Sequence, residues 1–399
     1  MKTPIRQLVD DLWEEFWRAG VTDPTVILEQ LLYLLFLRQV DRHPETTPGQ
    51  HFSQHSGAGR QGAPLSWGAC SVAGQTARFD LLGEQVFPWL RCLGGQGGSY
   101  ARHLKNARFS VPTAAALAAI MQRLDQLPYL QSRHGAAAFD FVTGKLAGMH
   151  RHCLARDPRR LARQMVALVA LVAPVPGDVI GNPGCGAGGL MVAAAQYLAQ
   201  HFPQVSSHHV TREHYHHRMF SACDHDPLML RVACLRMLLQ GVKNPDIFFS
   251  HTTEPYSNCV EGSCSVVLAH PWVRANSCDS ADSEYGPAVA RTVLHCARML
   301  RPGGRAAVAV PRAVLQGSSD IERAMRRMLL AEQRLDAVIP LAHTGMDHHA
   351  SILLFTRTDG ISVLKHDWRL PAQRDTTRVH AARLPLRPAR CAPAQPGMH

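Results

Sequence analysis

No run in this sequence is long and apolar enough to cross a bilayer as a helix. The best candidate, residues 165–175, falls short of the roughly 18–20 residues that a span requires and contains Pro174. An apolar leader core is also missing, because Met1-Lys2-Thr3-Pro4 passes directly into an acidic helical pattern. Those two absences predict a cytoplasmic protein with no membrane segment. Paired Cys-x-x-Cys knuckles are absent too. The 11 cysteines are scattered, and several, such as Cys234 and Cys296, stand inside apolar patterns, which predicts reduced core thiols. Cys259, Cys264 and Cys278 with His251 come nearest to a metal set, but their spacing fits no zinc site and no metal is expected. Acidic residues are in deficit: 31 against 42 basic ones leaves a formal charge of +11. A polyanion partner would suit that balance. Arginine, alanine, glycine and proline are all plentiful, however, as a biased genome would also produce, and charge alone does not separate the two readings.

What is present divides the chain. Residues 5–19 repeat apolar positions at helical spacing through Leu8, Leu12 and Phe16. Thr22 or Asp23 then offers a cap, with Pro24 at the first helical position. The helix over residues 25–41 is apolar nearly all round, hence buried, and His43-Pro44 stops it. Residues 46–68, rich in Gly, Ser, Gln and His, read as a loop. Further helices are expected over 79–93, where Pro88 interrupts, and over 114–127 and 136–149. From residue 160 helices alternate with strands, the strands at 178–180, 219–223, 247–250, 265–269, 306–310, 337–340 and 351–357. That alternation predicts a doubly wound, mostly parallel α/β sheet behind an all-α N-terminal region. The expected domains are 1–135, helical; 136–379, α/β; and 380–399, an Arg- and Pro-rich disordered tail.

Three constellations could support chemistry. Asn182-Pro183-Gly184-Cys185-Gly186-Ala187-Gly188-Gly189 lies between a strand and a helix, where glycine lets the backbone turn sharply and approach a ligand. A tight strand-to-helix turn would use the same residues. Asp224, at the tip of the next strand, stands where such folds hold ribose hydroxyls, although a strand-end carboxylate can equally be a surface group. His208, His209, His214, His216 and His217 in between are expected to form an extended surface loop. The third constellation, Val266-Val267-Leu268-Ala269-His270-Pro271-Trp272-Val273, runs a strand into a polar-Pro-aromatic turn at the ligand-facing end of the sheet. Acceptors for an amino group and a flat face for an extruded base would belong there. A strand end with a packed Trp is the plainer reading.

The order and spacing of these segments resemble the modification subunits of type I restriction systems and related N6-adenine DNA methyltransferases. The glycine stretch resembles their Asp-Pro-Ala-Cys-Gly-Thr-Gly-Gly motif. Residues 27–41 and 300–311 resemble their N-terminal helix and their Arg-Pro-Gly-Gly-Arg segment. The resemblance covers about residues 5–45 and 136–357. It implies a Rossmann-like domain that binds S-adenosyl-L-methionine and methylates adenine in double-stranded DNA, with specificity and restriction subunits as partners. Carried over by position, it implies cofactor contacts at Asn182, Gly184, Gly186, Gly188, Asp224 and Pro158, catalysis at His270 and Pro271, and base contacts at Trp272 and Val273.

Departures fall within the motifs. His270 stands where the family has asparagine, Trp272 where it has a second proline, and Val273 where it has phenylalanine. Asn182 replaces an acid, His251-Thr252 replaces an Asp-Thr pair, and only Pro158 survives from an aromatic-x-Thr-Pro motif. A neutral imidazole offers one acceptor nitrogen and a protonated one offers none. The sequence therefore leaves two functions open: a methyltransferase, impaired or not, and a non-catalytic relative that binds DNA or a partner subunit.

Overall fold

The structure, a computed structural model, describes residues 5–40, 67–93, 97–127, 158–206, 209–250, 260–271, 285–341 and 350–358. The N-terminal part is helical: α1 (Ile5–Arg18), α2 (Pro24–Val40), α3 (Trp67–Val72), α4 (Gln75–Leu81), α5 (Phe87–Cys92), α6 (Ser99–Leu104) and α7 (Ala114–Gln126). As its composition requires, α2 is buried; of residues 27–38 only Glu29 is not fully enclosed. Pro88 does not break the helical path. It lacks an N–H and would crowd the carbonyl of Glu84, and a single π turn, Leu82–Val86, widens the helix at that place.

The second part alternates as expected. In order come α8 (Pro158–Val172), β1 (Ile180–Pro183), α9 (Gly189–His201), α10 (His209–His217), β2 (Phe220–Asp224), α11 (Pro227–Leu239), β3 (Asp246–Phe249) and β4 (Cys264–Ala269). Then follow α12 (Tyr285–Met299), β5 (Leu300–Pro311), α13 (Arg312–Gln316), α14 (Asp320–Ala331), β6 (Gln333–Pro340) and β7 (Ala350–Arg357). The described strands form one sheet of seven in the order β3-β2-β1-β4-β5-β7-β6. β1 to β5 pair in parallel, and β7 is antiparallel to both its neighbours. The chain runs outward from β1 to β3 on one side and from β4 onward on the other. The topological switch therefore lies between β1 and β4, where doubly wound sheets open a crevice at their carboxyl ends.

Several expectations need correction. The histidine-rich segment is a helix, α10, and not a loop. It has no fully buried residue of its own, but tertiary contacts hold it: His214 Nε2 lies 2.7 Å from the Asp178 carbonyl and Tyr215 packs edge-on against Phe220. β1 begins at Ile180, two residues later than expected, because the Asp178 N–H closes a turn onto the Val175 carbonyl and the Val179 N–H donates to Ser265 Oγ instead of to a neighbouring strand. β5 and β6 start earlier than expected, at Leu300 and Gln333. Helices α3 and α6 are too short to show a period and went unread. The expected helix over 136–149 and the tail over 380–399 lie outside the described residues.

Helix α6 has a specific task at the free edge of the sheet. The outward-facing N–H of Ile247 in β3 donates to Ser99 Oγ at 2.7 Å. The Ile247 carbonyl meets Arg102 Nη2 at 3.2 Å and His103 Nε2 at 3.0 Å. One turn of helix thus meets the edge-strand groups that would otherwise seek another strand. Tyr100 donates to the Val242 carbonyl beside it, and the Glu29–Arg231 ion pair, 2.6 Å, ties α2 to α11.

At the other end of the strands the buried carboxylate of Asp178 forms a knot. Its Oδ1 accepts from Ser265 Oγ (2.7 Å), and its Oδ2 accepts from Val175 N (2.8 Å) and Arg305 Nη2 (2.9 Å). Arg305 also donates to the carbonyls of Val172 and Ala173, which end α8. Arg305→Ala leaves that carboxylate buried and without its cation. It is expected to remove about 3 kcal/mol of stability, read as a lower urea midpoint with unchanged slope. An unaltered midpoint would deny the knot its structural weight.

A candidate active site at the carboxyl ends of the strands

The loop after β1 is shaped by three glycines in the left-handed region, Gly184 (φ 66), Gly186 (φ 51) and Gly188 (φ 72). Gly188 has a second reason to be glycine, since a Cβ there would stand 3.0 Å from the Ala233 Cβ of α11. A Cβ on Gly189 would run into the sulfur of Met165 in α8. At Gly186 a Cβ would meet nothing within 4 Å, so the turn of the loop borders open space. Arg236 of α11 holds the loop from the side, donating to the Ala187 carbonyl at 3.2 Å.

Asp224 is fastened to this loop. Its Oδ2 accepts from Gly186 N at 2.8 Å, its Oδ1 accepts from Asp226 N at 3.0 Å, and His225 Nδ1 lies 3.3 Å from Oδ1. A carboxylate has about four lone-pair sites, so acceptor capacity remains for a pair of hydroxyls. Asp226 then caps α11 by accepting from Leu228 N, with Pro227 at the first helical position.

Asn182 is 1% exposed in β1. Its Nδ2 donates to the Leu268 carbonyl of β4 at 2.8 Å, and its Oδ1 is buried without a partner. Strand alternation puts Asn182, Asp224 and Leu268 on one face of the sheet, from the pairings Asn182↔Ala222 and Ile180↔Val266, and His270 follows the last residue of β4. The structure therefore gathers the glycine loop, Asn182, Asp224, His270 and Pro271 at one end of three adjacent strands, β2, β1 and β4. Pro158 begins α8, the helix whose last turn is held at the opposite end by Arg305 and whose Met165 touches the glycine loop. Its first residue thus lies toward the crevice. Trp272, Val273, His251 and Thr252 lie outside the described residues. Of the four residues weighed as a metal set, Cys264 is buried in β4 and the other three lie outside as well.

Two titrations matter. Burial pushes the His270 imidazole down to about 4, against a hydrogen bond to its own backbone that favours the charged form. It is neutral at physiological pH, with one nitrogen free of a proton. The Cys185 thiol is pushed well up by burial and, secondarily, by the charge of Asp224, so it stays protonated and is a poor nucleophile. Sequence reasoning missed Ser250, whose N–H donates to the Asp224 carbonyl at 2.9 Å and whose buried Oγ has no partner. It also missed Met165, Ala233 and Arg236 around the loop; no local pattern links them to it.

Comparisons with known proteins agree with this geometry. The sequence model of the N-6 DNA Methylase family matches residues 157–361. The chain is 22% identical over 364 residues to the type I restriction enzyme EcoEI methylase subunit of Escherichia coli, covering 85% of this chain and 72% of that protein. Its fold is similar to a crystal structure of a modification subunit assigned to a type I restriction enzyme of Vibrio vulnificus YJ016, with TM-score 0.60, 18% identity, and 90% and 83% of the two chains covered. It is also similar to the methyltransferase subunit of a type I restriction-modification system of Streptococcus thermophilus, with TM-score 0.51, 17% identity, and coverage of 90% and 86%. No helix among the described residues is long and apolar enough to cross a membrane.

Two outcomes are expected from this geometry. Gly188→Ala combines a strained left-handed φ with a clash at Ala233, and should lower stability by about 1–3 kcal/mol, measurable by thermal melting; a melt like that of the parent would refute the close approach. His270 is neutral in the folded chain but protonates near 6.5 when unfolded, as does half-buried His216, also pushed down to about 4 by burial. Between those values the unfolded chain binds more protons, so stability falls as pH drops from about 6.5 to about 4. Urea titrations across that window should show the slope, and it should shrink in His270→Asn.

Proposed function

The chain belongs to the N-6 DNA Methylase family, and from that premise we propose that it transfers a methyl group to the N6 amine of adenine in double-stranded DNA, as the modification subunit of a type I restriction system. The observation that supports this reading most directly is the neutral His270 directly after β4, at the same end of the sheet as Asp224 and the glycine loop. A site for a cofactor and a site for an amine thereby share one crevice.

The residues present fit S-adenosyl-L-methionine. Gly184, Gly186 and Gly188 give a loop that borders open space, followed by the N-terminus of α9, which favours a carboxylate. Asp224 keeps lone pairs for ribose hydroxyls, the buried Asn182 Oδ1 is an unused acceptor, and Pro158 would close the crevice from α8. When bound, that cofactor supplies an electrophilic methyl group. His270, deprotonated at neutral pH, would accept an amine N–H and so aim the nitrogen lone pair. Pro271 disfavours a helical conformation at His270 and keeps that carbonyl available as a second acceptor. Trp272 and Val273 would meet the faces of the extruded base.

In this reading residues 1–135 form the helical domain, 136–379 the methyltransferase domain and 380–399 a tail, and the specificity and restriction subunits are the partners. Incubation with tritiated S-adenosyl-L-methionine and adenine-containing duplex DNA, with a specificity subunit supplied, should label DNA at N6. Asp224→Ala should weaken cofactor binding at least about tenfold by calorimetry. If the parent chain transfers no label while His270→Asn does, the acceptor site has lapsed and the chain is a binding protein instead.

A further inference from the structure

The pairing of β1 with β4 contains a gap that one side chain closes. The two strands run parallel with Ile180 opposite Val266 and Gly181 opposite Val267. Lower in the ladder, Val266 N donates to the Val179 carbonyl. In a parallel ladder the bonds recur every second residue. Continued by that step, the register puts the nitrogen of residue 183 opposite the carbonyl of Leu268. Residue 183 is proline and has no N–H to give. The donor that reaches the Leu268 carbonyl is instead the side-chain Nδ2 of Asn182, at 2.8 Å. The partner is a carbonyl, which fixes how the amide is turned: nitrogen toward β4, oxygen away.

This bond sits at the topological switch, two residues before His270. Asn182 is enclosed, and so is Leu268, so water cannot replace the missing donor cheaply. The geometry points to Asn182 as the positioning residue of the acceptor site: its carboxamide substitutes for the N–H absent from Pro183 and holds the end of β4, and with it His270, against β1. The inference deepens the methyltransferase reading and rests on it for its kinetic consequence. In this chain the amide donates to Leu268 and leaves Oδ1 over.

The test is a rescue. In Asn182→Ala the end of β4 loses its tie, and methyl transfer at saturating cofactor should fall by about 10²-fold. The His270 NMR titration midpoint should rise from about 4 toward 6.5 as water enters. Pro183→Ala added to Asn182→Ala returns a backbone N–H to face Leu268, and should recover a large part of both losses. Should Asn182→Ala leave both the His270 midpoint and transfer unchanged, or the double variant do no better than the single, the assignment is overturned. A parent chain that transfers no methyl, yet shows the His270 response and its rescue, would overturn the functional reading alone.

Discussion

The carboxylate of Asp178 gathers the foot of the sheet around one buried charge. Ser265 brings β4 to it, Arg305 brings β5, and Arg305 at the same time holds the last carbonyls of α8. The Asp178 carbonyl receives His214, so the otherwise weakly anchored α10 is tied to the same residue. A buried charge of this kind is tolerated only when its cation and hydrogen bonds are all in place. The register of β1 against β4, and of β4 against β5, is thereby set from the end remote from the crevice. Every geometric relation at the carboxyl ends depends on that register, because a shift of one residue would turn Asn182 and Asp224 to the other face.

A second constraint comes from the edge of the sheet. Among the described residues β3 has no further strand beside it, and α6 takes the place of one through Ser99, Arg102 and His103. The helical region is therefore joined to the α/β region by hydrogen bonds to backbone, by the Glu29–Arg231 pair and by a continuous apolar core running from α2 through α11 to β2. β3 pairs with β2 at Asp224, opposite Phe249. Support for the Asp224 carboxylate thus reaches back into helices far earlier in the chain.

The acceptor position shows how tertiary structure alters the reading of a residue. A histidine in place of an asparagine surrenders an acceptor if the ring is judged by its ordinary titration. Burial at the end of β4 changes that judgement: the ring stays neutral and keeps one basic nitrogen across the physiological range. A neutral imidazole differs from a carboxamide in offering one lone pair on a ring nitrogen, not two lone pairs on one oxygen.

Much of the fold was legible in the sequence because its signals are local. The all-round apolar pattern of residues 27–37 demanded burial, and the Asp226-Pro227 pair announced a helix start. The spacing of Gly184, Gly186 and Gly188 before an apolar helix marked the turn that the φ values confirm. The family resemblance was legible for the same reason, as it rests on ordered short segments. Other features were not legible, because they depend on partners distant in sequence. α10 is a helix because of Asp178 and Phe220, and α6 because β3 needs an edge. His270 is neutral because of what encloses it, and Asn182 is bound to Leu268 because Pro183 cannot be. Local chemistry determined the elements and the site's residue types. Only the assembled sheet decided which backbone groups were left without donors, and which side chains had to supply them.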